Sequence, residues 1–65
     1  MYTTYWWEII DEDSELCGEQ FFTELNTDDV AEHKLLAIRY FPIEALRCLG
    51  TVTEVEAEAM GLDTY

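Results

Sequence analysis

The alternation of hydrophobic and polar residues predicts three short strands in this 65-residue chain. Residues 2–10 and 20–25 are rich in aromatic and β-branched side chains, which is typical of strands, and residues 46–52 form an apolar run of strand length. Residues 11–15 are acidic and Gly18 follows them, so the segment between the first two strands is expected to be a long hairpin connection.

Two helices are predicted, one before and one after the third strand in the sequence. Asn26 or Thr27 is the expected cap of the first helix, which then carries Asp28 and Asp29 in its first turn, where the macrodipole favours negative charge. Pro42 forces this helix to end at the residue before it. Five apolar positions at helical spacing are expected to face the core: Ala31, Leu35 and Ile38, supported by Val30 and Ala37.

The second helix is expected to be short. Residues 53–56 read Thr-Glu-Val-Glu, which is the pattern of a capping box. Gly61 followed by Leu62 fits a C-terminal cap with its hydrophobic contact. We therefore expect a helix over residues 54–60.

The predicted order of elements is ββαβα, within one domain of residues 1–65. A small α+β fold satisfies this order, with a three-stranded antiparallel sheet, one main helix on one face of the sheet and a short C-terminal helix. Alternation directs one set of strand residues at the main helix: Tyr5, Trp7, Phe21, Leu25, Leu46 and Cys48. It leaves a second set on the open face: Trp6, Glu8, Phe22, Glu24, Arg47 and Leu49.

Fifteen acidic and three basic side chains give the chain a formal net charge of −12 with its histidine neutral. This balance argues against direct binding to nucleic acid or to anionic lipid, because both need Lys and Arg to neutralise phosphates. Basic proteins or cations are the expected partners. A domain of this size has a surface of roughly 4,300 Å², or about one net charge per 360 Å², whereas B-DNA carries about one per 107 Å². Only a local cluster of acids approaches the charge density of DNA.

No residue pattern indicates catalysis or a cofactor. His33 has no serine, cysteine or acid at the spacing of a known nucleophile motif, and we expect it to be a solvated helix residue. Residues 11–15 alternate oxygen ligands like the start of an EF-hand loop, but Leu16 and Phe22 stand where the turn glycine and the bidentate glutamate belong. The sequence therefore predicts neither an enzyme nor a metal site, and only weak, nonspecific attraction of Ca²⁺ or Mg²⁺.

The cysteines and the first residues indicate a cytoplasmic location. Cys17 and Cys48 allow one disulfide at most, and neither is expected to be reactive, since Cys48 falls on the inward strand face and Cys17 lies in the acidic loop. The first residues lack a basic region and Glu8 interrupts the apolar run beside them, so neither a signal peptide nor a membrane span is expected. We expect both thiols to be reduced.

The spacing of the acids is the strongest functional signal. Strand residues two apart project from one face at roughly 6.6 Å, close to the phosphate repeat along one DNA strand. Trp6 and Trp7 face opposite ways, so at most one enters the main core and the other is a candidate interface anchor. The residues expected to bind a partner, with their acids in one ridge, are Trp6, Glu8, Asp11, Glu12, Asp13, Glu15, Glu24, Asp28, Asp29 and Glu32. Solubility alone is the alternative role for such an acidic surface.

Three acid clusters on a compact mixed scaffold give the whole chain a resemblance to a known group of proteins: Asp11-Glu12-Asp13, Asp28-Asp29-Glu32 and Glu54-Val55-Glu56-Ala57-Glu58. In size and charge it resembles the small acidic anti-CRISPR proteins of phages and mobile elements that act on type I surveillance complexes. The resemblance implies an inhibitor whose DNA-mimicking surface blocks a basic nucleic-acid-binding groove of a host defence complex.

A protein-interaction module is the alternative function. An antitoxin, an adaptor or a homodimer would bind through the aromatic sheet face of Trp6, Phe22 and Leu49, and the acids would then serve solubility. In either case we expect a monomer or a weak homodimer.

Overall fold

The computed structural model describes all 65 residues and contains the elements in the predicted order. The strands are β1 (Thr3–Ile9), β2 (Gln20–Leu25) and β3 (Leu46–Thr51), and the helices are α1 (Val30–Tyr40) and α2 (Glu54–Met60). Both neighbours of β1 run antiparallel to it, so the sheet has the order β2-β1-β3 with β1 at its centre. The fold is the small α+β architecture that the residue pattern predicts.

A bulge interrupts the pairing of β3 with β1. Trp6 lies opposite Gly50 and Trp7 lies opposite Cys48, which leaves Leu49 as an extra residue between them. Gly50 has a φ of 117°, a conformation that is costly for any residue with a side chain. The bulge bends β3 where it faces the middle of the central strand.

The main core lies between the sheet and α1. Four residues form it, each at most 2% exposed: Trp7, Ile9, Phe21 and Ala37. Phe41, just after α1, stacks on Phe21 with 4.5 Å between ring centroids. Tyr65 meets Phe21 and Phe41 edge to face at 5.8 and 5.4 Å. Aromatic packing from the ends of two segments therefore closes the core on one side.

Helix α1 packs through a face that only partly matches the predicted one. His33 and Ala37 are fully buried, whereas Leu35 is 65% exposed and Val30 is 46% exposed. The prediction that Ala37 faces the core is confirmed, whereas the prediction is wrong for Val30, Ala31 and Leu35, because the hydrogen-bonded His33 packs against the sheet instead.

His33 is held inside by a chain of hydrogen bonds. Its Nε2 lies 2.8 Å from the carbonyl oxygen of Thr27, and its Nδ1 lies 2.7 Å from the hydroxyl of Thr23. That hydroxyl oxygen also accepts from Nε1 of Trp7 at 2.9 Å. A neutral ring with its proton on Nε2 satisfies every group, because the carbonyl can only accept and the Thr23 hydroxyl then donates to Nδ1. The prediction of a solvated histidine is wrong.

The second face of the sheet, which points away from α1, is partly covered. Phe22 lies on this face, because its neighbour Phe21 packs in the main core, and yet Phe22 is fully buried. Between β3 and the far edge of β2 the chain forms α2, and Ala57 and Leu62 line a groove together with Thr4. The prediction that Phe22 is exposed on an open face is therefore wrong.

The last three residues pair with the outer edge of β2. The amide of Phe22 donates to the carbonyl of Asp63 at 2.9 Å, and the amide of Glu24 donates to the carbonyl of Tyr65 at 3.0 Å. The amide of Tyr65 donates back to Phe22 at 2.9 Å, which makes a parallel bridge centred on Thr64. These bonds cover a strand edge that would otherwise be open to pairing with other chains.

The ends of α2 follow the sequence signals. Thr53 and Glu56 form the predicted capping box, in which each side chain accepts the other residue's amide. Gly61 ends the helix in the left-handed region with a φ of 67°, as its position after the helix predicts. The local pattern was sufficient here because both caps are made within the segment.

Candidate functional site

The topology sends the acidic residues to two opposite ends of the sheet. The β1–β2 connection lies at one end, and the β2–α1 and β3–α2 connections lie at the other. A strand of seven residues spans about 20 Å, so the two groups are separated by the length of the sheet. The acids therefore fall into two groups about a strand's length apart, with Glu8 on β1 between them.

The first group is the loop cluster, which comprises Asp11, Glu12, Asp13 and Glu15. Three of its side chains are exposed and that of Asp11 is half-buried. The carboxylate of Asp11 accepts from the amide of Asp13 at 3.0 Å, and the hydroxyl of Ser14 accepts from the amide of Leu16 at 3.1 Å. These bonds shape the turn, so Asp11 has a structural role in addition to its charge.

Glu8 and Trp6 belong to a polar row across the uncovered part of the second face. Glu8 accepts from Nη2 of Arg47 through one carboxylate oxygen and from Nε2 of Gln20 at 3.1 Å through the other. The Gln20 hydrogen bond, and after it the Arg47 hydrogen bond, hold the pKa of Glu8 below its usual range. Nε1 of Trp6 donates to Oε1 of Gln20 at 3.1 Å. Both predicted site residues are thus engaged within the molecule.

The second group lines a groove between the start of β1, the end of β2 and α2. This groove cluster comprises four exposed carboxylate residues, namely Glu24, Asp28, Glu54 and Glu58. None of them has an ion pair, because the one salt bridge in the protein joins Arg47 to Glu8. No lysine or arginine lines the groove. It is a concave surface that carries negative charge alone.

Glu54 and Glu58 were not among the predicted site residues. Their spacing of four places them on one side of α2, which is a visible signal for a paired negative charge. The sequence did not reveal that the fold brings this pair into one groove with Glu24 and Asp28.

The three acids at the start of α1 occupy three different environments. Asp29 is the N-cap, and its carboxylate accepts an amide of the first turn at 3.0 Å. The prediction that Asn26 or Thr27 is the N-cap is therefore wrong. Asn26 accepts a hydrogen bond from the N-terminal ammonium group at 3.1 Å, and Thr27 accepts one from the amide of Asp29 at 3.2 Å. Asp28 faces the groove and Glu32 is exposed on the helix. One predicted site residue, Asp29, is thus committed to the helix end.

The remaining reactive groups lie apart from the groove. Cys17 is exposed, Cys48 is half-buried against the core, and both are free thiols. No three side chains of His, Cys, Asp or Glu are arranged to hold a metal ion. Neither helix combines the length and the apolar composition that spanning a membrane requires.

No protein-family model matches the chain, and neither a curated protein nor a solved structure is similar to it. The lining of the groove offers carboxylates, threonine hydroxyls and tyrosine rings. Such groups bind ammonium and guanidinium ions through charge-assisted hydrogen bonds and ring contacts.

Proposed function

We propose that the protein is a cytoplasmic inhibitor that binds a basic, nucleic-acid-binding protein of a host defence complex and keeps nucleic acid out of its groove. The groove cluster is the observation that carries this proposal. Its four carboxylates come from β2, the β2–α1 connection and α2, and no base accompanies them. Their mutual repulsion disfavours the compact state, and a cationic partner relieves that repulsion on binding.

The net charge of the protein is closer to that of DNA when it is counted per unit length than when it is counted per unit surface area. A net charge of −12 on 4533 Å² is about one charge per 380 Å², far more dilute than on DNA. Along the longest dimension of 35 Å, however, it is about one charge per 2.9 Å, against about one per 1.7 Å of B-DNA. That dimension is also close to one turn of the duplex, about 34–36 Å.

The two ends of the sheet would contribute differently to binding. Lysine or arginine side chains of the partner enter the groove, where they donate hydrogen bonds to the carboxylates and the ring of Tyr2, 69% exposed, offers a cation–π contact. The loop cluster, about a strand's length away, attracts the same basic surface at long range and raises the rate of association.

An interaction module that binds through an aromatic sheet face has less support. Its central residue Phe22 is fully buried, and the indole nitrogen of Trp6 already has a partner in Gln20.

Two variants of equal charge test the proposal. In the groove variant, Glu24, Glu54 and Glu58 become Gln and Asp28 becomes Asn. In the loop variant, Glu12 and Glu15 become Gln and Asp11 and Asp13 become Asn. Each carries a net charge of −8, so a difference between them reports position and not total charge.

Affinity for a purified type I surveillance complex is measured at low and high salt, together with displacement of its duplex DNA. We expect the parent protein to displace DNA and to bind less tightly as salt rises. At about 0.2–1 kcal/mol for each exposed charge pair, the groove variant should bind at least about 4-fold more weakly. The loop variant should mainly associate more slowly. Salt-insensitive binding, or full affinity in the groove variant, would contradict the proposal.

A further inference from the structure

The outward face of α1 is apolar at its centre. Leu35 is 65% exposed and stands directly opposite the core, since the buried residues His33 and Ala37 each lie about 160° from it at 100° per residue. Ala31 and Ile38 lie beside it, four positions before and three after. Leu35 and Ala31 are exposed and Ile38 is half-buried, so the fold of one chain leaves most of this apolar strip open to solvent.

The same helix carries two cations that the rest of the molecule leaves unpaired. Lys34 and Arg39 are exposed, and neither forms a salt bridge. With Glu32 as its one acid, α1 sums to +1, so the remainder of the chain sums to −13. A second copy of the chain that approaches an acid-rich surface is repelled, whereas α1 offers a surface without that repulsion.

We propose that this face of α1 binds a second copy of the chain, with the two α1 helices antiparallel about a two-fold axis at Leu35. Glu32 and Arg39 lie on the same side of Leu35, about 60° and 40° around the helix. In the antiparallel pair, Glu32 of one copy stands within about 1.5 Å along the axis of Arg39 of the other. Two identical ion pairs then flank the apolar centre.

The opposite orientation is disfavoured by the same charges. In a parallel pair the two-fold axis runs along the helices and puts Glu32 and Arg39 of the two copies on opposite sides of the interface, so neither ion pair forms. The charge pattern of α1 therefore selects the orientation as well as the partner.

The size of the face makes this dimer a weak one. Eleven residues give about 16 Å of helix, and with a width of about 11 Å the footprint is about 180 Å² on each copy. Stable complexes bury about 1,200 Å² or more in total. The dimer should therefore form at high protein concentration and dissociate on dilution, and salt that screens the net charge should favour it.

Sedimentation equilibrium between about 10 µM and 1 mM tests the inference without any basic partner. The average mass of the parent protein should rise from 7.6 kDa toward twice that value as concentration increases. Leu35→Ser should remain monomeric. Val55→Ser removes an equally exposed apolar side chain from α2, 76% exposed, and should behave like the parent protein.

A charge swap tests the antiparallel orientation. Arg39→Glu should weaken association at least about 2-fold, because it replaces two attractive pairs of about 0.2–1 kcal/mol each with repulsive ones. The double variant Glu32→Lys/Arg39→Glu keeps the net charge of the parent protein and should restore its association. Far-UV circular dichroism verifies that each variant is folded. A constant mass of 7.6 kDa in the parent protein, equal losses in Leu35→Ser and Val55→Ser, or no recovery in the double variant would overturn the inference.

Discussion

The buried hydroxyl of Thr23 tests how this small core is held together. Thr23→Val keeps the shape of the side chain and removes the hydroxyl, which leaves Nε1 of Trp7 and Nδ1 of His33 without partners. An unsatisfied buried group costs about 1–3 kcal/mol, so the two together cost about 2–6 kcal/mol. A domain of this length has a free energy of unfolding of about 3–10 kcal/mol. The substitution should therefore remove a large part of the stability.

Urea and thermal unfolding, followed by circular dichroism, measure this loss. At about 4–8 °C per kcal/mol, the Tm of Thr23→Val should fall by at least about 8 °C. Thr23→Ser keeps the hydroxyl and loses one methyl group, so it should cost only about 1 kcal/mol. Thr3→Val makes the same change on β1 at a hydroxyl without a hydrogen bond, and should stay within about 0.5 kcal/mol of the parent protein. If Thr23→Ser were less stable than Thr23→Val, the reasoning from the buried hydroxyl would be refuted.

Three further predictions concern single residues. Because folding lowers the pKa of Glu8, its carboxylate stabilises the fold at pH values above the ordinary pKa of 4.5, and this stabilisation is lost as the pH falls through the lowered pKa. The difference in Tm between the parent protein and Glu8→Gln should therefore narrow from pH 7 to pH 3. A constant difference in Tm would contradict this. Asp29→Ala should lower the free energy of unfolding in urea by about 1 kcal/mol because it removes the helix cap. The carboxylate of Asp28 accepts no hydrogen bond, so Asp28→Ala should change this free energy by less than about 0.5 kcal/mol. Equal losses in the two variants would argue against the observed cap. Gly61→Ala should cost about 1–2 kcal/mol from backbone strain alone, since no atom lies within 4 Å of the added carbon, and Gly61→Asn should melt at a higher temperature than Gly61→Ala.

The elements of the fold were predictable because their signals are local. Alternation defined β2 over Gln20–Leu25, and a capping box with a following glycine defined α2 over Glu54–Met60. Periodicity identified Ala37 on the buried face of α1, but the burial of His33 was not predictable from the helix's own residues. His33 is buried because Thr23 and Thr27, outside the helix, supply its hydrogen-bond partners. Periodicity alone therefore favoured Leu35, which faces solvent.

The candidate site was predictable in composition and not in arrangement. Glu24 and Asp28 were identified from strand and helix-start positions, and both line the groove. Glu54 and Glu58 join them only because the fold brings α2 into the same groove as the start of β1 and the end of β2, a long-range arrangement that no local pattern encodes. The loop cluster lies at the other end of the sheet, as the antiparallel pairing of β1 and β2 requires.

The central place of β1 in the sheet has a consequence for the rate of folding. Strand β1 pairs on one side with β2, which follows it after a connection of moderate length. On its other side it pairs with β3, which is far away in the sequence, since the ion pair between Glu8 and Arg47 joins residues 39 positions apart. Closing the longer loop costs more chain entropy before any contact repays it. We therefore expect the β1–β2 hairpin to form early and the docking of β3 to limit the rate, which puts folding in the range of milliseconds or slower despite the small size of the domain.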